Sequence, residues 1–290
     1  MKISKDNVVF SMDKHNPPAL SVESGSTVVF ETMDCFSDTV KTSADVVSEI
    51  DFSKVNPATG PLYIKGAQPG DTLKVSIHSI KISDKGAVLT SPGLGQLSKQ
   101  IEKEETVICD IKEDHALYKG LRIPLNKMIG VIGTAAEGEG VNTGTPHDHG
   151  GNLDTTRMAE GATVYLPINV EGALLAMGDL HASMGDGEIM GSGLEVAGEV
   201  KVTVEVVKDF NLPLPLIETK DKWVTLGSRE TMEDASKLAI NNMVKVIQEN
   251  SDLSFNQAGM LLSLAGHLHA CQVVNPNVTM RMELAKKFLN

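Results

Sequence analysis

Residues 178–195, GDLHASMGDGEIMGSGLE, gather the residue types that could do chemistry. Asp179 and His181 stand two apart, so on an extended backbone their side chains leave the same face and can converge on one ion or one water. Asp186 and Glu188 repeat that spacing, and Glu195 adds another carboxylate. Glycines at 178, 185, 187, 191 and 193 are, taken alone, ordinary turn residues, and GDG is what a tight connection between strands looks like. Turns do not call for so many ligand types in so short a run, which tips the reading toward a site.

Such residues need rigid flanks. Upstream, Val164, Leu166, Ile168 and Val170 alternate; downstream, Val200, Val202, Val204 and Val206 alternate within EVKVTVEVV. The run therefore lies between two strands, at the rim of a β-sandwich or barrel. Earlier, VVF at 8–10 and TVVFET at 27–32 flank a Pro-Pro segment and read as a hairpin or as two sandwich strands. The second run delivers Asp34 to its tip, where an Asp is most often a turn residue. Leu73, Val75 and Ile77 alternate with Lys74, Ser76 and His78, which leaves His78 solvated.

Further short strands follow at VLT (88–90), TVICDI (106–111) and MIGVIGTA (128–135). Residues 135–154 read as a long functional loop, too polar and glycine-rich for a core element, ending in His147, Asp148, His149 and Asp154.

From residue 227 the pattern becomes helical. Met232, Ala235, Ala239, Met243, Val246 and Ile247 recur at helical spacing, with Thr231 or Ser228 as cap. A second helix opens at Ser254 with a Ser-x-x-Gln capping box to Gln257 and stops near Gly266. His267 and His269 share a face of the strand after it; with no carboxylate near them in sequence they read as strand residues rather than ligands. The fold class is thus mainly β, sandwich- or barrel-like, with a helical α+β C-terminal part. Residues 1–226 form the β-rich region carrying the chemistry, with a subdomain split near 55–135 left open, and 227–290 the C-terminal region.

Composition excludes several classes. With 26 basic against 38 acidic residues in 290, the net charge of -12 repels phosphate backbones, so nucleic acid is not the partner. No apolar run approaches the roughly 18 residues of a membrane span. Three widely spaced cysteines, Cys35, Cys109 and Cys271, suggest neither a disulfide framework nor a metal knuckle, which points to a reducing, cytoplasmic location. GxSxG, HExxH and GxxxxGK[ST] are absent, and Asp179 does not open an EF-hand loop because Met184 stands where glycine is needed.

The string GDLHASMGDGEIMGSGLE resembles the acetamidase/formamidase pattern GDxHxxQGDGE followed by a Glu. The likeness extends in order through ETMD at 31–34, NPATGPLYIKGAQPGD at 56–71, GVIGTA at 130–135, HGGNLD at 149–154 and QVVNPN at 272–277. It implies hydrolysis of short linear amides, such as formamide or acetamide, to a carboxylate and ammonia. It also implies a mainly β fold with a helical end, and a homo-oligomer, a dimer or higher. Met184 departs from the pattern, which more often carries Gln there, and so weakens the case for a side-chain amide at that position as a substrate ligand.

Amide hydrolysis needs a nucleophile, oxyanion stabilisation and a proton for the departing nitrogen. No cysteine lies in the central run and the Ser-Ser-Lys arrangement of another amidase class is missing, so water activated by a divalent cation is the economical nucleophile. Mixed histidine and carboxylate ligands favour zinc, with calcium open as an alternative or second ion. The expected ligands are Asp179, His181 and Glu195, with Asp34, His149 and Asp154 supplied by other loops; Glu188 is the expected general base, and Asp186 either shares the catalysis or holds the turn. A substrate of three or four heavy atoms gains at most about 1.5 kcal/mol per atom, so its dissociation constant is no tighter than roughly 0.04–0.5 mM.

Other readings stay open at this point. One is a non-catalytic β module holding calcium for structure or carbohydrate contact, another an interaction protein using its helical end, and a third a family member acting on a different small amide.

Overall fold

The computed structural model describes residues 1–289. Two large sheets, one of nine strands and one of eleven, dominate it, with a separate pair of two-residue strands. They pack face to face over one apolar core. Phe30, Leu73, Val75, Ile77, Val200, Val202 and Val204 from the first sheet meet Leu62, Ile129, Ile132, Leu175, Met177 and Leu180 from the second. Period-two alternation explains the first set: in Thr72–Ile82 the apolar residues turn inward while His78 stays exposed beside Thr203, 2.7 Å away.

The strands Met128–Gly133 and Leu175–His181 are buried along their whole length. They pair with each other, and Leu175–His181 also pairs with Glu195–Val196, setting His181 directly opposite Glu195.

The two early runs do not form a hairpin. Val8–Val9 joins Ala58–Ile64 in the second sheet, whereas Ser26–Thr32 joins Gly198–Val207 in the first. The stretch 135–154 is also more structured than its composition suggests: Gly150–Asn152 is a buried strand against Val131–Gly133. Its glycines make that possible, because a Cβ at Gly150 would lie 2.3 Å from the Ile132 carbonyl oxygen. The hairpin His115–Tyr118 with Leu121–Pro124 carried no recognised signal.

The C-terminal part extends the first sheet through Lys222–Arg229, Val278–Ala285 and the edge strand His267–Gln272. Two helices cover it, α1 (Met232–Glu249) and α2 (Phe255–Ala265). Thr231, not Ser228, caps α1 by accepting from the Asp234 amide at 3.1 Å, and the Ser254–Gln257 capping box opens α2. Ala235, Ala239, Met243, Val246 and Ile247 are buried as the spacing predicts, but Met232 sits in the first turn facing water. Among the described residues, no helix is long and apolar enough to cross a membrane.

Candidate active site

The strand Leu175–His181 places Asp179 and His181 at its end, and the sheet register adds Glu195. His181 Nε2 lies 3.2 Å from Glu195 Oε2, 3.5 Å from Asp179 Oδ1 and 4.0 Å from Asp154 Oδ1. Glu188 completes the cluster from the loop after the strand, and Asp154, His181 and Glu188 offer ligand atoms within 4.8 Å of one another. The Gly193 amide donates to both Glu188 Oε1 and Glu195 Oε1 at 3.1 Å, tying the two glutamates together. All five side chains are buried.

Sustaining this arrangement requires strain. Asp154, Asp179 and Glu188 have φ of 42°, 55° and 47°, a left-handed conformation that costs a non-glycine residue about 1–3 kcal/mol. Glycine supplies the room: a Cβ on Gly130 would fall 2.5 Å from Asp154 Oδ1 and 2.6 Å from Asp179 Oδ2, and one on Gly193 2.5 Å from His181 Nδ1. Backbone strain at one cluster of polar side chains is the mark of a working site rather than of a stabilising one.

Electrostatics point the same way. Among the described residues no lysine or arginine lies within 4.0 Å of these four carboxylates; the only basic group that close is His181. Burial, reinforced by the Asp179 charge, pushes Asp154 up to about 7, and burial does the same to Glu195 despite His181. Burial and the Asp154 charge hold Glu188 well above the usual carboxylate range. For His181, burial alone would lower the pKa, but the Glu195 and Asp179 carboxylates outweigh it and hold the imidazole well above its ordinary value. Asp154 Oδ1, Asp179 Oδ1, Glu195 Oε2 and both His181 ring nitrogens have no hydrogen-bond partner. Buried polar atoms are rarely left so, and an excess of acid with aimed, unpartnered oxygens and nitrogens fits a divalent cation. Cys35, Asp179 and Glu195 form a second, overlapping group of the same kind.

The other expected site residues go elsewhere. Asp34 Oδ1 accepts from the amides of Phe36 and Asp38 at 3.0 and 2.8 Å, so it closes a turn. His149 is buried on the wall of a separate cavity of about 400 Å³ with His147, and burial lowers its pKa to about 4. Asp186 is taken by Arg281, whose Nη1 and Nη2 donate to its two oxygens at 2.9 and 2.6 Å. His267 and His269 lie on the edge strand; His269 Nδ1 approaches Asp186 at 3.8 Å and neither histidine joins the cluster.

Three contributors were missed in the sequence. Asn275 Nδ2 donates to Asp154 Oδ2 at 2.8 Å, Cys35 reaches the cluster from the segment after Ser26–Thr32, and buried Arg281 holds the loop that carries Glu188 through Asp186. Only Asn275 had a signal, through its place in QVVNPN.

The cluster opens on a cavity of about 270 Å³ lined by Asp179, Glu188, Glu195 and Asn275 on one side. A larger space of about 380 Å³ across the loop touches the cluster only through Glu188.

Fold and site together define a mainly β sandwich with a buried acid–histidine cluster facing a cavity. The chain belongs to the Acetamidase/Formamidase family, whose model matches residues 12–139 and 134–288. An acetamidase from Bacillus halodurans is 48% identical in structure-based comparison, with a TM-score of 0.98 over 99% of this chain and 98% of that one. A predicted acetamidase/formamidase from Thermoanaerobacter tengcongensis is 44% identical, with a TM-score of 0.96 over 99% and 96%. A formamidase of Methylophilus methylotrophus is 27% identical over 225 residues, 58% of this chain and 55% of that protein. The chain spans 55–64% of the length of the curated relatives it matches.

Proposed function

We propose that this chain is an amidohydrolase that cleaves the C–N bond of short aliphatic amides, formamide and acetamide among them, to a carboxylate and ammonia with the help of a divalent cation. Zinc is the first candidate and calcium the alternative. The observation that carries the reading is the buried cluster of Asp154, Asp179, Glu188 and Glu195 around His181, with unpartnered atoms aimed inward beside a cavity. The family and the acetamidase and formamidase relatives support it.

Asp179, His181 and Glu195, with Asp154, would hold the cation. A bound divalent cation lowers the pKa of water from 15.7 toward about 7 and polarises a carbonyl. Glu188 lines the cavity and has its proton affinity raised by burial, which suits a group that takes a proton from the attacking water and returns it to the departing nitrogen. The Gly193 amide fixes the Glu188 carboxylate. Asn275 orients Asp154. Asp186, paired with Arg281, anchors the loop and takes no proton.

The same reading takes the chain as a cytoplasmic homo-oligomer. Three buried free cysteines support a reducing compartment, and exposed Phe255, Met260 and Leu264 on α2 and Leu268 on the edge strand support assembly.

The test is ammonia release from formamide and acetamide by metal-stripped protein reconstituted with zinc or calcium, with Glu188→Gln alongside. Metal-dependent ammonia release that Glu188→Gln abolishes is expected; no release under either metal would end the hydrolytic reading.

A further inference from the structure

We propose that the cavity at the acid cluster takes primary amides whose acyl chain is longer than acetyl, an aliphatic chain of about four to six carbons by the volume arithmetic that follows. The inference rests on the hydrolytic reading above and deepens it by naming the substrate class. The space is about 270 Å³. At about 30 Å³ for each water-sized group, it holds roughly nine, against the three heavy atoms of formamide or the four of acetamide.

Part of the cavity wall is apolar. Phe36, Val47, Ile50, Leu89 and Leu94 line it, with Phe52 at the mouth. Val47 and Leu89 are buried in a small cluster of their own, against which Phe36 and Ile50 pack, so the surface is built rather than incidental. Phe52 is 62% exposed, a large aromatic side chain left in water beside the opening. Formamide has no carbon chain with which to cover such a wall, and acetamide has a single methyl. The same cavity carries the acids and the amides of Asn142, Asn152 and Asn275 beside this apolar set, which suits an amphipathic ligand with its amide group at the acid cluster and its chain against Ile50 and its neighbours. The space across the loop, near Met184 and Met190, meets the cluster only at Glu188 and does not present the carbonyl end to the other acids.

Each added methylene that this wall buries should raise kcat/KM about fourfold, the factor equivalent to about 0.8 kcal/mol. The experiment runs linear primary amides from formamide to octanamide through the zinc- or calcium-loaded full chain, and titrates the same amides calorimetrically into Glu188→Gln. Turnover and affinity should both climb from acetamide to about pentanamide and fall once the chain outgrows the cavity. Ile50→Trp, which fills the wall, should move the optimum at least two carbons shorter; Leu94→Phe serves the same end if the first variant does not fold.

Hydrolysis of acetamide with no gain in turnover or affinity along the series would overturn the acyl pocket and leave the hydrolytic reading standing. Affinity that climbs with chain length while no amide is hydrolysed would uphold the pocket and overturn that reading. Loss of both would overturn both.

Discussion

Two clusters of charge, one part-buried and one fully buried, lie on either side of the Asp186–Glu188 loop, and they are built on opposite principles. Around Arg281, two acids meet three bases: Asp186 is gripped by the Arg281 guanidinium, and Glu283 accepts from Arg157, Arg281 and Lys222 at 2.6, 2.8 and 2.8 Å. Burial would raise Glu283, but these donors outweigh it and hold its carboxyl at about 2. Around His181, four acids meet one imidazole, and burial drives up the pKa values of Asp154, Glu188 and Glu195. They differ in burial, since Asp186, Arg157 and Lys222 are about a third exposed while every side chain of the second cluster is buried, and they differ more in compensation. The first cluster is compensated within the protein, and the second keeps an excess of acid with unpartnered oxygens. The compensated one fixes the loop, and the other is where the proposed chemistry would run.

The comparison breaks most visibly at Glu188. Glu188→Gln keeps the shape but cannot exchange a proton, and kcat should fall about 10²–10⁴-fold while cation affinity and folding remain. An equal loss of affinity would make Glu188 a ligand instead. Arg281→Ala should act on the other cluster, leaving Asp186 and Glu283 without their shared partner. Glu283 keeps Arg157 and Lys222 and Asp186 is partly solvated, so the loss is that of charge-assisted hydrogen bonds, about 1.5–3 kcal/mol, read as a lower urea midpoint.

Acid sharpens the contrast. Glu283 sits below its unfolded value, so its contribution is fully present above about pH 4.5 and is lost as pH falls toward 2. That amounts to about 3 kcal/mol across the window. Glu283→Gln, measured by urea unfolding between pH 6 and pH 2, should show a correspondingly flatter loss of stability. The smallest effect expected is at Asn275→Ala, which removes one hydrogen bond to Asp154. A bond to a charged group contributes about 1.5–3 kcal/mol, so kcat/KM should drop about 10- to 150-fold, with little change in Tm.

Local rules made part of this legible in the sequence. The alternations in Thr72–Ile82 and Gly198–Val207 and the caps at Thr231 and Ser254 depend on neighbours within a few positions, and the structure follows them. Asp179 and His181 were readable because a single strand carries both, and Glu195 because the next strand folds straight back. Asp34 and His149 were not, because a carboxylate serving a turn and a histidine lining another cavity look like ligands in sequence. Asp186 shares its spacing with Glu188, yet its role is set by Arg281, 95 residues away. Sheet membership was equally hidden: Val8–Val9 and Ser26–Thr32 are near neighbours in the chain and pair in different sheets.

The most direct test is a calorimetric titration of the metal-stripped chain with zinc and with calcium, repeated on Asp179→Asn. The acid cluster predicts saturable binding with proton release, because raised carboxylates must give up protons to the ion, together with a Tm gain equivalent to about 2.7 kcal/mol at 100 times the dissociation constant and loss of binding in the variant. No heat and no change in Tm with either ion would contradict the account.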